Sequence, residues 1–162
     1  LLESSDTEVE LILGSSHLQV VLPDLRFTTK LIDGRFPDYQ RVIPEAEGSV
    51  VNVDREMLRK ALVRASILSN EKYRGVRFIF EPDQLRIQSN NPEQEEAEEE
   101  VAAESNGSGM EIGFNASYML DALGAIETES ITMYVRDGSS SALLVGNGDR
   151  QDGRYVVMPM RL

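Results

Sequence analysis

Val51-Asn52-Val53-Asp54 leads straight into Met57-Leu58-Arg59-Lys60-Ala61-Leu62, and further along Ile112-Gly113-Phe114-Asn115 leads into Tyr118-Met119-Leu120-Asp121-Ala122-Leu123. In both places a short two-faced strand pattern ends on an Asx residue, whose side chain can accept from the first free N–H groups of a helix. Apolar residues then recur at helical spacing, and an Ala-Leu pair falls at the same point of each copy. Two further strand patterns follow each helix. In the first copy they are residues 76–80 and 84–88, joined by Glu81-Pro82-Asp83; in the second, residues 131–135 and 141–145, joined across Asp137-Gly138. The reading is a β-α-β-β unit used twice, an α+β arrangement with helices packed on one face of antiparallel strands.

Upstream lie three runs of alternating or β-branched residues, at 8–13, 17–22 and 25–32, separated by Gly14-Ser15-Ser16 and Pro23-Asp24. About 35 residues of meander cannot bury a core of their own. Residues 1–40 are therefore expected to be the tail of one domain, its front lying upstream, plus a turn-rich connector through Asp33-Gly34-Arg35-Phe36-Pro37-Asp38-Tyr39. Residues 41–162 are expected to form a second domain.

Composition narrows the chemistry. The 162 residues include no cysteine and one histidine, His17, and carry a formal net charge of -12. There is no disulfide framework and no thiolate ligand or nucleophile, and few members remain for a Ser-His-Asp triad or a zinc site. No apolar run approaches the roughly 20 residues of a membrane span. The opening LLESSDTEVELIL lacks the basic start of a secretory signal, so a cytoplasmic location is expected. Phosphate-loop and Gly-x-Ser-x-Gly patterns are absent. The acidic balance argues against a tight DNA binder, which would neutralise phosphates with Lys and Arg.

Two charged features stand out. On a wheel at about 100° per residue, Met57, Leu58, Ala61, Leu62, Ala65 and Leu68 share the apolar side of the first helix. Arg55, Arg59, Lys60 and Arg64 spread around the other half, a solvated face or one turned to phosphates. The run Glu93-Gln94-Glu95-Glu96-Ala97-Glu98-Glu99-Glu100 reads as a solvated strand or loop. As an edge strand, its charges would block unwanted pairing. Neither this run nor residues 146–153 has the ligand spacing of a calcium loop, and no cofactor or metal is expected.

Several segments resemble the bacterial β sliding clamp family, the β subunit of DNA polymerase III. They are Leu31-Ile32-Asp33-Gly34-Arg35-Phe36-Pro37-Asp38-Tyr39, Ile67-Leu68-Ser69-Asn70-Glu71-Lys72-Tyr73-Arg74-Gly75-Val76, Asn90-Asn91-Pro92-Glu93-Gln94-Glu95-Glu96-Ala97-Glu98-Glu99, and the ending Tyr155-Val156-Val157-Met158-Pro159-Met160-Arg161-Leu162. The resemblance implies the DNA-clamp fold, with sheets outside and helices lining an inner face. It also implies a non-catalytic processivity factor whose dimeric ring encircles duplex DNA without reading sequence. By the same resemblance, residues 1–40 are the end of the second clamp domain with its linker, and 41–162 are the third.

Three sets of residues follow from it. A pocket for partner peptides (polymerase, clamp loader and other motif-bearing proteins) would use Pro37, Arg41, Val42, Asn115, Tyr118, Ser139, Ser141, Val156, Met158, Pro159, Met160 and Arg161. Ser139 stands where the family usually has a small apolar residue. The homodimer seam would use Ile67 and Leu68 with Glu93, Glu95, Glu96, Glu98 and Glu99. The DNA-facing helix would present Arg55, Arg59, Lys60 and Arg64 as diffuse charge. Two other classes compete. A metal-dependent enzyme would rest on acids such as Asp149 and Asp152; a stand-alone peptide adaptor would never encircle DNA.

Overall fold

The computed structural model describes residues 8–35, 38–44, 48–107, 109–148 and 153–161. The chain divides into two compact units, Leu1–Asp38 and Tyr39–Leu162.

The first unit is an antiparallel meander of β1 (Glu10–Leu13), β2 (His17–Leu22) and β3 (Leu25–Lys30). Leu13 pairs with Leu18 and Leu22 with Leu25, so both turns are tight. None of its described residues is buried. Leu11, Ile12, Leu13, Leu25 and Phe27 are all exposed, because a three-stranded meander has no second layer of its own to bury them.

The second unit begins with a single helical turn, α1 (Tyr39–Val42). Then come β4 (Ser49–Asp54), α2 (Arg55–Ile67), β5 (Gly75–Phe80), β6 (Gln84–Asn90) and β7 (Glu96–Ser105), followed by β8 (Met110–Asn115), α3 (Ala116–Ala125), β9 (Ser130–Val135), β10 (Ala142–Gly146) and β11 (Arg154–Val157). Both Asx caps are present. Asp54 Oδ1 accepts from Met57 N at 2.7 Å, and Asn115 Oδ1 accepts from Ser117 N and Tyr118 N at 2.9 and 3.3 Å.

The repeat is one strand longer than the sequence pattern suggested: each copy is β-α-β-β-β. The added strand of the first copy, β7, contains most of the acid run. It is no edge strand, since the order is β11-β10-β9-β4-β7-β6-β5-β8 and β7 lies in the interior. Alternation makes this affordable. Val101 and Ala103 turn into the core, while Glu96, Glu98, Glu100 and Glu104 turn outward to water.

All ladders are antiparallel, and α2 and α3 pack on one face of the sheet and on each other. The core between them holds Phe78, Phe80 and Phe114 with Leu58, Leu62, Ile112 and Met119, all fully enclosed. Phe78 and Phe114 meet nearly edge-on, centroids 5.3 Å apart. Each such side chain contributes about 1.5–3 kcal/mol through area removed from water. The helix wheel misplaces one residue. Met57 is 57% exposed, because it lies 100° from Leu58, at the margin of the buried stripe.

The two ends of the sheet approach each other. Beyond β11 the chain crosses to β8, where Met160 N donates to Gly113 O at 2.8 Å in an isolated antiparallel bridge. Tyr155 Oη donates to Ala125 O at 3.1 Å and ties β11 to the end of α3. The C-terminal residues are thus held against the body of the unit.

Candidate functional site

In β10, Ala142 and Leu144 belong to the core, and so Leu143 must project from the opposite face. It is nonetheless only 3% exposed. Its direct cross-strand neighbours are Tyr134 on β9 and Val156 on β11; Tyr134 in turn stands opposite Val50. These residues form an apolar row across the outer face. The segment from α1 to Pro44 borders it. A cavity of about 530 Å³ there is lined by Arg41, Val42, Tyr134, Arg136, Ser140 and Ser141, among others.

The structure therefore brings together Arg41, Val42 and Ser141 from the expected peptide-pocket set, with Val156 in the adjoining row. Pro37 lies outside the described residues. Tyr134, Leu143 and Arg136 were missed. The signal for Leu143 was the unbroken apolar run Ala142-Leu143-Leu144-Val145, since a strand covered on both faces loses its alternation.

Ser139 belongs to a turn organised by one carboxylate, and Ser141 follows that turn, directly before β10. Asp137 Oδ1 accepts from Ser139 N, Ser139 Oγ and Ser140 N at 2.7–2.8 Å, and Oδ2 accepts from Ser140 Oγ at 2.8 Å. The Ser139 hydroxyl, followed by the backbone and Ser140 donors, lowers the pKa of Asp137 to about 2. The turn rests on β8: a Cβ on Gly138 would come within 2.9 Å of Glu111 O.

The remaining pocket candidates gather around the same strand. Asn115 ends β8, caps α3 and donates through Nδ2 to Tyr73 O at 3.1 Å. Tyr118 and Met158 are each 63% exposed. Pro159 and Met160 are half-buried where the C-terminal segment meets Gly113, and Arg161 is exposed.

The expected seam residues occupy a second place. Ile67, Leu68, Glu93 and Glu95 line one hollow of about 530 Å³ between the end of α2 and the β6–β7 turn. Ile67 is 72% exposed although it ends an amphipathic helix. Asn91 shapes the turn by donating to Glu95 Oε2 and accepting from Glu95 N, at 2.7 and 2.9 Å.

Glu99 does not share the outward face of Glu96 and Glu98. It points to α2, where Arg64 Nε and Nη2 donate to its two oxygens at 2.7 and 2.6 Å. That bidentate contact holds the Glu99 carboxyl below its usual range and the Arg64 guanidinium above its own.

Along β7, residues 96–102 pair with β6, and only 103–105 pair with β4. Among the described strands, nothing pairs with the other edge of residues 96–102.

The basic row on α2 is more engaged than the wheel implied. Arg55 turns aside: Nε donates to Thr128 O at 2.9 Å and Nη1 to Leu123 O at 3.2 Å, where it satisfies carbonyls at the end of α3. Arg59 pairs with Glu56 at 3.1 Å, and Arg64 with Glu99. Lys60 is exposed.

His17 is exposed and sits beside Ser16 Oγ, 2.8 Å from Nδ1. Among the described residues no group of three or more His, Asp or Glu is placed to hold a metal ion, and no helix is long and apolar enough to cross a membrane. Asp149 and Asp152, on which the enzyme alternative rested, lie outside the described residues.

Comparison with known proteins follows the same lines. Residues 40–161 match the family model for the DNA polymerase III beta subunit, C-terminal domain. The chain is 53% identical to the beta sliding clamp of Pseudomonas aeruginosa over all 162 residues, and 45% identical to that of Escherichia coli. It covers 44% of either relative, so it spans less than half their length. A crystal structure of the DNA polymerase III subunit beta from Pseudomonas aeruginosa superposes with a TM-score of 0.86 at 52% identity, over 100% of this chain and 44% of that one. The fold, the matched domain and this level of identity agree: the chain belongs to the bacterial β sliding clamp family, the β subunits of DNA polymerase III.

Proposed function

We propose that this chain is the C-terminal part of a processivity clamp for the replicative polymerase. Residues 1–40 would complete the second clamp domain and its linker, and residues 41–162 would be the third domain. Two complete subunits close head to tail into a ring around duplex DNA, and the ring docks polymerase, loader and other motif-bearing proteins. The work is mechanical tethering, with no bond made or broken.

The observation that carries this reading is the half-open edge of β7. An interior strand whose second edge lacks a strand partner over residues 96–102 offers a row of backbone donors and acceptors. Exposed Ile67 and half-exposed Leu68 lie close by. Such an edge suits a strand from another subunit. The outward Glu96 and Glu98, with Glu93 and Glu95, would set orientation against basic residues across the seam more than they would add affinity.

The groove beside Tyr134 and Leu143 supports peptide docking. The exposed Met158 and half-buried Met160 would add an adaptable apolar wall to the docking site. For DNA, Lys60 with Arg59 and Arg64 would supply weak positive charge on α2, and Arg55 would serve the packing of α2 on α3. A ring that slides gains nothing from tight phosphate contacts.

The test is sedimentation of the complete subunit that carries this sequence. The wild type is expected to sediment as a dimer and the Ile67→Ala/Leu68→Ala variant to shift toward monomer. A variant that stays dimeric would remove these residues from the seam.

A further inference from the structure

The peptide groove does not stop at the cavity that holds Arg41 and Ser141. A second cavity, of about 520 Å³, shares Gln40, Ile43, Pro44 and Tyr134 with it, so the two form one continuous groove. Its floor adds Leu143 and Val145, both from the outward face of β10. Its rim carries Arg154, the first residue of β11, which stands directly opposite Val145 across the ladder. Arg154 is exposed. At that spacing its aliphatic stem can lie along Val145 while the guanidinium stays in water.

The charges along this groove run against those of the chain. The whole sequence carries -12, yet the described lining of the two cavities includes Arg41, Arg136 and Arg154 and no aspartate or glutamate. Arg41 and Arg136 also interact within the chain, so the argument rests chiefly on Arg154. An apolar floor of Leu143, Val145 and Tyr134 beside a guanidinium suits an apolar side chain with a carboxylate close to it in sequence.

We propose that the groove extends past the first cavity along β10 and β11, and that Arg154 makes it select extended peptide segments carrying an acidic residue next to an apolar anchor. This rests on the peptide-docking reading above. Arg154 acts here as a specificity determinant, and the occupant is a segment of a partner protein.

Two fluorescein-labelled peptides test it, alike in their leucine anchors and differing in flanks of glutamate or glutamine. Each is titrated into the complete subunit by fluorescence polarisation at low salt. The glutamate peptide should bind about 1.5-fold to 5-fold tighter, the range for an exposed ion pair, and the advantage should shrink as salt rises. Arg154→Gln should abolish the preference, and Arg154→Glu should reverse it, while the glutamine peptide binds all three proteins alike. Equal affinity of the wild type for both peptides would overturn the inference and leave the pocket standing. A preference that survives in Arg154→Glu would overturn the role of Arg154. Failure of both peptides to bind would overturn the docking reading and this extension with it.

Discussion

Asn115 does three jobs from one side chain: it accepts from Ser117 N and Tyr118 N and donates to Tyr73 O. Asn115→Ala should therefore lose about 1 kcal/mol of stability in urea unfolding. Asn115→Asp keeps the acceptor and should lose less, and equal losses would mean that the cap is not what matters. Asp137 makes a pH prediction. Its folded pKa of about 2 lies below the ordinary aspartate value of 3.8. The order it brings to the Ser139–Ser140 turn is therefore fully present above pH 3.8 and fades as pH falls through 2. In NMR, the Ser139 and Ser140 amide signals should titrate with a midpoint near 2; a midpoint near 3.8 would contradict the network. Local signals of this kind were legible in the sequence. Asp54 and Asn115 announced both helix starts, because a cap involves only neighbouring residues. The contacts of Arg55 were not legible because its carbonyl partners, Thr128 and Leu123, lie 73 and 68 residues away.

At the scale of elements, the fourth strand of each repeat was the hardest to see. In β7 the outward glutamates dominate the composition, and only Ala97, Val101 and Ala103 mark the inward face alongside Glu99. The placement of that strand depends on β6, its hairpin partner, and on β4, which joins it from the far side of α2. The same non-locality hid the outward apolar row: two residues of it, Tyr134 and Leu143, come from separate strands that alignment alone brings together. The half-open edge makes its own prediction. In the Ile67→Ala/Leu68→Ala subunit, alternate amides within residues 96–102 should exchange with deuterium quickly, because they face solvent. In the assembled dimer they should be protected. Equal exchange in the two states would show that this edge stays unpaired on assembly.

For the molecule as a whole, the total charge of -12 misleads when treated as one number. Acid is concentrated on the outward side of β7 and in the β6–β7 turn, whereas arginines border the groove beside β10 and β11. Lys60 is exposed on α2, where Arg59 and Arg64 are already paired with Glu56 and Glu99. Such a distribution still disfavours a tight, site-specific DNA binder. It is compatible with a ring that surrounds DNA and carries its contacts elsewhere. The central claim is that the outer groove and the C-terminal residues against β8 form one docking site. Its most direct test is the affinity of the complete subunit for a fluorescein-labelled peptide from a clamp-binding partner, before and after deletion of residues 158–162. The account predicts that binding is lost while the dimer persists; an unchanged affinity would contradict it.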